Sequence, residues 1–486
     1  MRLGLLLSLA LTVPLHAAVR LQVGAAIPGF PFPLDPHQTR TYLVSASADR
    51  GEFNSDVRVD VAPFGGATIE SLTATRGTCD AGGCSIGRLD SLDAVTITAV
   101  VRAGDFAPDT RQGFVVTSPS TPYQVQQSFD VYRILTVTNG DDDGAGSLRQ
   151  VIVDANAFCG EDECKIAFAD GVVIAPRSPL PAVTANRITI DGASHTELNG
   201  SLAGGNAHGL TIAARCTCRV LGIDIHDFAL YALDFEPGQA VACGVSLHSV
   251  ENNTLTRNLR GIRADNFNGT VEGNVIRDNR RSGIWYGTGA SNALNVFGNR
   301  IEHNGASGIY VDAAASHTRI VGNTIADNAE MGVAISHRAG QTEVLGNVFR
   351  GNGGEAIDWG LDGPDSNRVL PEPVRIDAAH YDTATDTTMV DFTVYQYWFV
   401  DRTVDFDSED VEFYVNDNPR NQGEQLAGAA SLHVDTRPQS FRTALKGDLS
   451  GKWLTATVTF HVITERTMLD PRQSTSEFSS AVLVTK

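Results

Sequence analysis

The stretch "GNRIEHNGASGIYV" (Gly298–Val311) has close copies on both sides. "GNVIRDNRRSGIWY" (Gly273–Tyr286) precedes it, and "GNTIADNAEMGVAI" (Gly322–Ile335) and "GNVFRGNGGEAIDW" (Gly346–Trp359) follow. Aligning the first Asn of each unit gives anchors at Asn253, Asn274, Asn299, Asn323 and Asn347, spaced 21, 25, 24 and 24 residues apart. A second Asn follows five positions later each time, at Asn258, Asn279, Asn304, Asn328 and Asn352. Val250, Val271, Val296, Ile320 and Val344 lie three residues before the anchors, and Leu255, Ile276, Ile301, Ile325 and Phe349 lie two after. Each unit then carries Gly-Ile or Gly-Val, relaxed to Ala-Ile at 356–357.

A period of 20–30 residues marks a solenoid in which each unit stacks on the last. A leucine-rich repeat is a poor match, because only four Leu fall between 251 and 357 and the apolar columns are the β-branched Val and Ile. Lone aliphatics between turn residues leave room for three short strands per coil and none for a helix. The six-residue period of a left-handed β-helix is missing. The pattern predicts a right-handed parallel β-helix, with equivalent positions forming ladders at roughly the 4.8 Å strand spacing. Val and Ile fill the interior. Asn tolerates the left-handed conformation of a sharp coil turn and its amide can bond along a ladder. Gly lets the chain pass without a Cβ clash. The repeated Asn, Ile and Gly are therefore architecture. Less regular coils are expected at "RITIDGAS" (187–194), "GLTIAARC" (209–216) and "VLGIDIHDF" (220–228).

The flanks read differently. Residues 19–133 are short alternating segments such as "RVDVAP" and "AVTITAVV", broken by Gly, Pro and Asp; residues 371–486 repeat that style in "DVEFYVND" and "KWLTATVTFHVI". Both predict antiparallel β-sandwiches, placing the β-helix at 134–370. The one amphipathic helical segment, "GSLRQVIVDANAF" (146–158), is suited to capping an open end of the stack. The fold class is thus all-β, a right-handed parallel β-helix flanked by two sandwiches.

The N-terminal "MRLGLLLSLALTVPLHAAV" has one Arg, a short apolar run and small residues, the pattern of a signal peptide over residues 1–18. The expectation is a secreted chain at the cell surface, in the medium or in the periplasm. No later apolar run is long enough to span a membrane. The paired cysteines agree: Cys79 with Cys84, and Cys159 with Cys164, each close a small loop in an oxidising compartment. Cys216 and Cys218 share a strand face and one of them is a candidate partner for Cys243. A net charge of −20 over 486 residues argues against nucleic acid and anionic membranes as partners. It leaves a monomer that meets polysaccharide or cell-surface material.

A family resemblance follows from particular stretches. "LTVTNGDDDGAGSLRQVIVDANAFCG" (135–160) resembles the opening of bacterial secreted β-helix proteins that begin with Ser-Leu-Arg-(Glu/Gln)-Ala-Ile, here "SLRQVI" with Val in place of Ala. "GGEAIDWGLDGPD" (353–365) resembles the end of that β-helix, and "STSEFSSAV" (474–482) the close of the sandwich that often follows it. "SLTATRGTCDAGGCSIGRLDSLDAVTITAVVRAG" resembles the Ig-like repeats of bacterial exported proteins. The resemblance implies a pectin-lyase-like fold and an exported protein, and implies no particular activity.

Three sets of residues are candidates for chemistry. Immediately before the second Asn come Arg257, Asp278, His303, Asp327 and Gly351. Asp278, His303 and Asp327 would form a vertical carboxylate–imidazole–carboxylate ladder, the elements of acid–base catalysis; the alternative is a solvated turn column. Second, alternation sends Arg263, Trp285, Tyr310, Ala334 and Asp358 outward, so that Trp285 and Tyr310 make an aromatic step suited to sugar rings unless "GTGASNA" (287–293) folds over them. Third, Asp358, Asp362 and Asp365 in "DWGLDGPD" can gather on Ca²⁺, the one cofactor considered, or simply form a polar turn. "GDDDG" (140–144) reads as a turn, and Arg280–Arg281 is the nearest approach to an anionic-sugar contact. The expected function is non-catalytic binding of extracellular glycan along the solenoid. The alternative is a polysaccharide lyase or glycoside hydrolase at the Asp278–His303–Asp327 face.

Overall fold

The computed structural model describes residues 19–25, 33–48, 50, 54–121, 123–160, 162–213, 217–236, 247–265, 267–287, 293–312, 317–336, 339, 341–361, 373–395, 408–420, 422–433, 438–461 and 475–486. The stretch 1–18, predicted from sequence as a leader, lies outside them, as do Cys216, Cys243, Asp362 and Asp365. The chain forms two compact units, Met1–Ile134 and Leu135–Lys486.

In the first unit, two antiparallel sheets share one core. One runs Val19–Ala25, Thr39–Ala48, Ala94–Arg102, Thr68–Ala74; the other runs Thr78–Asp80, Gly83–Leu89, Asn54–Phe64, Gln112–Thr117, Val125–Phe129. Period-two alternation builds it: Val57, Val59 and Val61 point into the core beside Val44, Ile97 and Phe114. Between them, Arg58 and Asp60 point out and pair at 2.6 Å. A Cys79–Cys84 disulfide links the two strands of the neighbouring hairpin.

The second unit contains the solenoid, with three ladders of parallel strands, the third of them seven strands deep. The repeat columns stack in register. Val250, Val271, Val296, Ile320 and Val344 form the first inner ladder. Leu255, Ile276, Ile301, Ile325 and Phe349 form the second, and Ile262, Ile284, Ile309, Val333 and Ile357 the third. All are at most 2% exposed, and each contributes roughly 2 kcal/mol relative to an exposed side chain.

Both Asn columns are bonded along the stack and buried, apart from the half-buried Asn352 at its end. Asn274 Nδ2 donates to Asn299 Oδ1 at 2.9 Å, Asn299 to Asn323 at 3.0 Å, and Asn323 to Asn347 at 2.9 Å. The second column repeats this from Asn279 through Asn304 and Asn328 to Asn352. The left-handed turn sits one residue earlier than the sequence reading placed it. Between the first and second ladders it is Asn252, Gly273, Gly298, Gly322 and Gly346; between the second and third, Arg257, Asp278, His303, Asp327 and Gly351, all with φ between 53° and 67°. The buried Asn itself faces the carbonyls of earlier coils, as when Asn299 Nδ2 donates to Val271 O at 2.8 Å. Gly283 and Gly308 serve another purpose: a Cβ on either would lie 2.8 Å from the carbonyl oxygen of the next coil.

Both ends of the stack are closed. The helix Leu148–Phe158 is capped by Ser147, whose hydroxyl accepts from Gln150 N, and buries Leu148, Val151, Ile152 and Ala155 in the solenoid core. Arg149 in the same "SLR" motif donates to Asp142 O at 2.9 Å and Pro179 O at 2.7 Å, so "GDDDG" is a structural turn. A Cys159–Cys164 disulfide joins the helix end to the first core strand, Cys164–Phe168.

At the other end stands a second sandwich. One sheet runs Arg375–Asp382, Thr387–Val394, Gln439–Lys446; the other runs Gln425–Leu432, Ser408–Asn416, Trp453–His461, Val482–Leu483. It answers the unpaired N–H groups of the last coil. Val344 N donates to Thr475 Oγ1 at 2.8 Å, Gly346 N to Glu412 Oε2 at 2.9 Å, Phe349 N to Gly423 O at 2.8 Å, and Ala356 N to Gln422 Oε1 at 2.9 Å. Phe478 and Tyr414 join the solenoid core there. This seals an edge that would otherwise template further strand pairing. It also explains "STSEFSSAV": Thr475, Glu477 and Phe478 are its contacts with the final coil.

Candidate functional site

Asp278, His303 and Asp327 occupy the left-handed turn position on successive coils. His303 Nε2 lies 3.8 Å from Asp327 Oδ2, with the two side chains 54% and 42% exposed. Asp278 instead pairs with its neighbour Arg277 at 2.8 Å. The backbone explains the residue types: a φ near +55° favours Asn, Asp and Gly, with His also enriched.

The same column becomes more enclosed toward the helical end. Arg257 Nε lies 2.8 Å from Asp227 Oδ1, and His226, almost buried, sits 2.7 Å from Asp227 Oδ2 and 3.0 Å from Glu197 Oε1. Hydrogen bonding from Arg257 pulls the Asp227 carboxyl down to about 2. The only sequence signal for this cluster was the His-Asp pair in "GIDIHDF".

The outer face of the third ladder brings more together. Register places Asp234, Arg263, Trp285, Tyr310, Ala334 and Asp358 in one column, matching the alternation read from sequence. Trp285 and Tyr310 are half-buried rather than open, and Ala334 and Asp358 are buried. Most of "GTGASNA" (288–292) lies outside the described residues. Arg260 crosses this column, its guanidinium carbon 5.4 Å from the Trp285 ring centroid and 5.8 Å from that of Tyr231. Such cation–aromatic contacts fix a long flexible side chain against flat rings.

Beside the rings is a network that sequence reasoning missed. Arg263 Nε lies 2.6 Å from Asp234 Oδ1 and 3.4 Å from Asp265 Oδ2, so one guanidinium bridges two carboxyls. His208 Nδ1 is 3.4 Å from Asp234 Oδ2, and its ring lies 5.0 Å from that of Tyr231. Burial, reinforced by Glu236 and Asp265, pushes the Asp234 carboxyl up to about 6 against the pull of Arg263. Burial and Arg263 push the His208 imidazole down to about 4. Burial and Asp312 hold the Asp265 carboxyl above its usual range, opposed by Arg263 and Arg260. Gly287 lies between Asp265 and Asp312 along the stack; a Cβ there would collide with Asp265 Oδ1 and lie 2.9 Å from Trp285 Cη2. The indole edge and the carboxylate thus converge over a bare glycine.

Of the proposed cation ligands, only Asp358 lies among the described residues, where it is 5% exposed. Cys218 is a buried free thiol; its backbone N–H donates to His248 Nδ1 at 3.2 Å. Among the described residues, no three His, Cys, Asp or Glu side chains gather closely enough to hold a metal ion. Nor is any helix there long and apolar enough to cross a membrane.

Residues 170–359, less than half of the chain, match the family model described as "Periplasmic copper-binding protein (NosD)". That span lies within the solenoid. No curated protein matches the chain. Among solved structures, the catalytic domain of Agl-KA aligns at 14% identity over 71% of this chain and 72% of that one, with a TM-score of 0.36. The catalytic domain of GH87 alpha-1,3-glucanase in complex with tetrasaccharides aligns at 11% identity over 68% of this chain and 76% of that one, with a TM-score of 0.25. Likeness at that level carries no argument about activity.

Proposed function

We propose that this is an exported β-helix protein that binds extracellular glycan on the outer face of its third ladder, without turnover. The observation that carries the reading is the pairing of Trp285 with Tyr310 on adjacent coils, with Arg260 held over the indole. Aromatic rings take the apolar face of a sugar, while its hydroxyl edge needs carboxylates and guanidinium groups of the kind that Asp265 and Arg260 provide. The disulfides and the periplasmic description of the matched family support work outside the cytoplasm.

The copper named in that family description does not fit the described residues. His248 Nδ1 is occupied as an acceptor from Cys218 N, which leaves Nε2 carrying the proton, and the ring packs against both Phe235 and Phe267. No chemical step is assigned to a metal here.

A glycoside hydrolase is the second reading. What favours it is the pair of elevated carboxyls, Asp234 and Asp265, sharing Arg263, since a general acid must hold its proton near neutral pH. Against it, the Asp234 side chain is only 2% exposed, too enclosed to reach a glycosidic oxygen at the surface.

Incubating the purified mature protein with a polysaccharide panel, with and without Ca²⁺, while following both retention and reducing-end release, separates the two. Retention without new reducing ends, weakened in W285A and unchanged by Ca²⁺, is the expected result. New reducing ends that vanish in D265N would establish the hydrolase instead.

A further inference from the structure

We infer that the glycan accepted at this face is uncharged, its hydroxyls donating to Asp265 and Asp312 while one ring rests against Trp285 and Tyr310. This rests on the glycan-binding reading above and adds the ligand's chemical class. In strand order the residues just beyond the aromatic column are Asp265, Gly287 and Asp312, so two carboxylates stand one coil either side of a residue with no side chain. The Asp265 carboxylate and the Trp285 ring edge converge over that glycine. A sugar lying on the indole therefore has a carboxylate at its rim, where its equatorial hydroxyls project.

The charges on this face settle which sugars suit it. Arg263 is taken by Asp234 at 2.6 Å and Asp265 at 3.4 Å, so it offers no free positive charge to a ligand. Among the described residues Arg260 also faces these rings, but it is spread over two of them and acts on Asp265. Against it stand Asp265 and Asp312, close enough that Asp312 raises the Asp265 carboxyl. The chain as a whole carries −20. A uronate or a sulfated sugar would bring its negative charge to a face that already has an excess of it, in a molecule whose long-range field repels it. Hydroxyls meet no such penalty, and a carboxylate is a stronger acceptor for them than a neutral oxygen.

The test is affinity electrophoresis of the full mature chain in gels holding dextran or a linear β-glucan (neutral), alginate (carboxylated) or dextran sulfate, each at low and high NaCl. The expected result is retardation by a neutral glycan that changes less than twofold with salt, with the two acidic polymers at least tenfold weaker at low salt. D265N and D312N, which keep size but remove the charge and replace one acceptor oxygen with a donating NH₂, should each weaken neutral binding about tenfold while leaving thermal melting near wild type. Y310A, at a half-buried position, is the second probe should either Asn variant melt early. Tighter binding to alginate or dextran sulfate that fades with salt would overturn the inference while leaving the glycan reading standing. So would neutral binding indifferent to both Asn variants. Failure of every polymer to retard the protein would remove the glycan reading and this inference with it.

Discussion

Two polar columns climb the same solenoid, and they are filled for different reasons. In the turn column, Arg257, Asp278, His303, Asp327 and Gly351 all hold φ between 53° and 63°. In the strand column, Arg263, Trp285 and Tyr310 sit in ordinary parallel pairing with no such demand on the backbone. A left-handed position filters residues by conformation, so Asp or His there needs no chemistry to explain it. A strand position exposed on one face admits almost anything. Large rings, an ion-paired arginine and shared carboxyls at that position therefore say more about a ligand than a carboxylate ladder along a turn does.

The sharpest contrast is in stability. Asn299 accepts from Asn274 N and Nδ2, and donates to Val271 O, Phe297 O and Asn323 Oδ1. Replacing it with Ala strands several buried donors and acceptors at once. We expect N299A to lose about 3–4 kcal/mol in urea unfolding. A loss under 1 kcal/mol would mean that the ladder is incidental to the stack.

The next effect lies on the strand face and depends on pH. Asp234 titrates near 6 in the folded chain, above its unfolded value, so its contribution to stability is complete below about pH 4 and lost as pH rises to 6. His208 titrates near 4, below its unfolded value, so its contribution is complete above about pH 6.5 and lost as pH falls to 4. The two slopes oppose each other across the same window, leaving the wild type nearly flat. D234N should expose the imidazole, with stability falling by about 2 kcal/mol from pH 6.5 to 4; H208Q should show the reverse slope. Parallel pH profiles for both variants would dissolve the coupling.

Binding gives a smaller expected change. W285A should weaken glycan retention about tenfold, equivalent to about 1.4 kcal/mol, with the melting temperature little altered because the ring is half-buried. Retention equal to wild type would move the site off this face.

What the sequence disclosed follows the same division. The coils from Asn253 onward were legible because inward Ile and Val, the Asn pair and the Gly recur at one period, and stacking turns recurrence into geometry. The left-handed residue was misplaced by one position because Asn is itself suited to that conformation, and only the hydrogen bonds of Asn274 and Asn299 reveal that it is the buried partner. Asp234, His208 and His226 stayed hidden because they lie on the irregular early coils, where no Asn anchor sets the register. Their meaning comes from contacts across coils: Asp234 meets Arg263 and His226 meets Glu197, each 29 positions away, and His208 meets Asp234 across 26. The C-terminal cap was hidden likewise: Thr475 meets Val344 across 131 residues.

The smallest effect discriminates best between the columns. His303 holds φ at 54°, a conformation that costs a non-glycine residue about 1–2 kcal/mol, whereas glycine adopts it freely and loses about 0.5–1 kcal/mol in chain entropy on folding. His303→Gly should therefore leave stability between unchanged and about 1 kcal/mol higher. The weak 3.8 Å contact with Asp327, on side chains roughly half exposed, gives little to lose. Glycan retention should not change either. If the variant instead lost binding or turnover with its fold intact, His303 would be selected for its imidazole rather than for the turn, and the turn column would have to be read as a site.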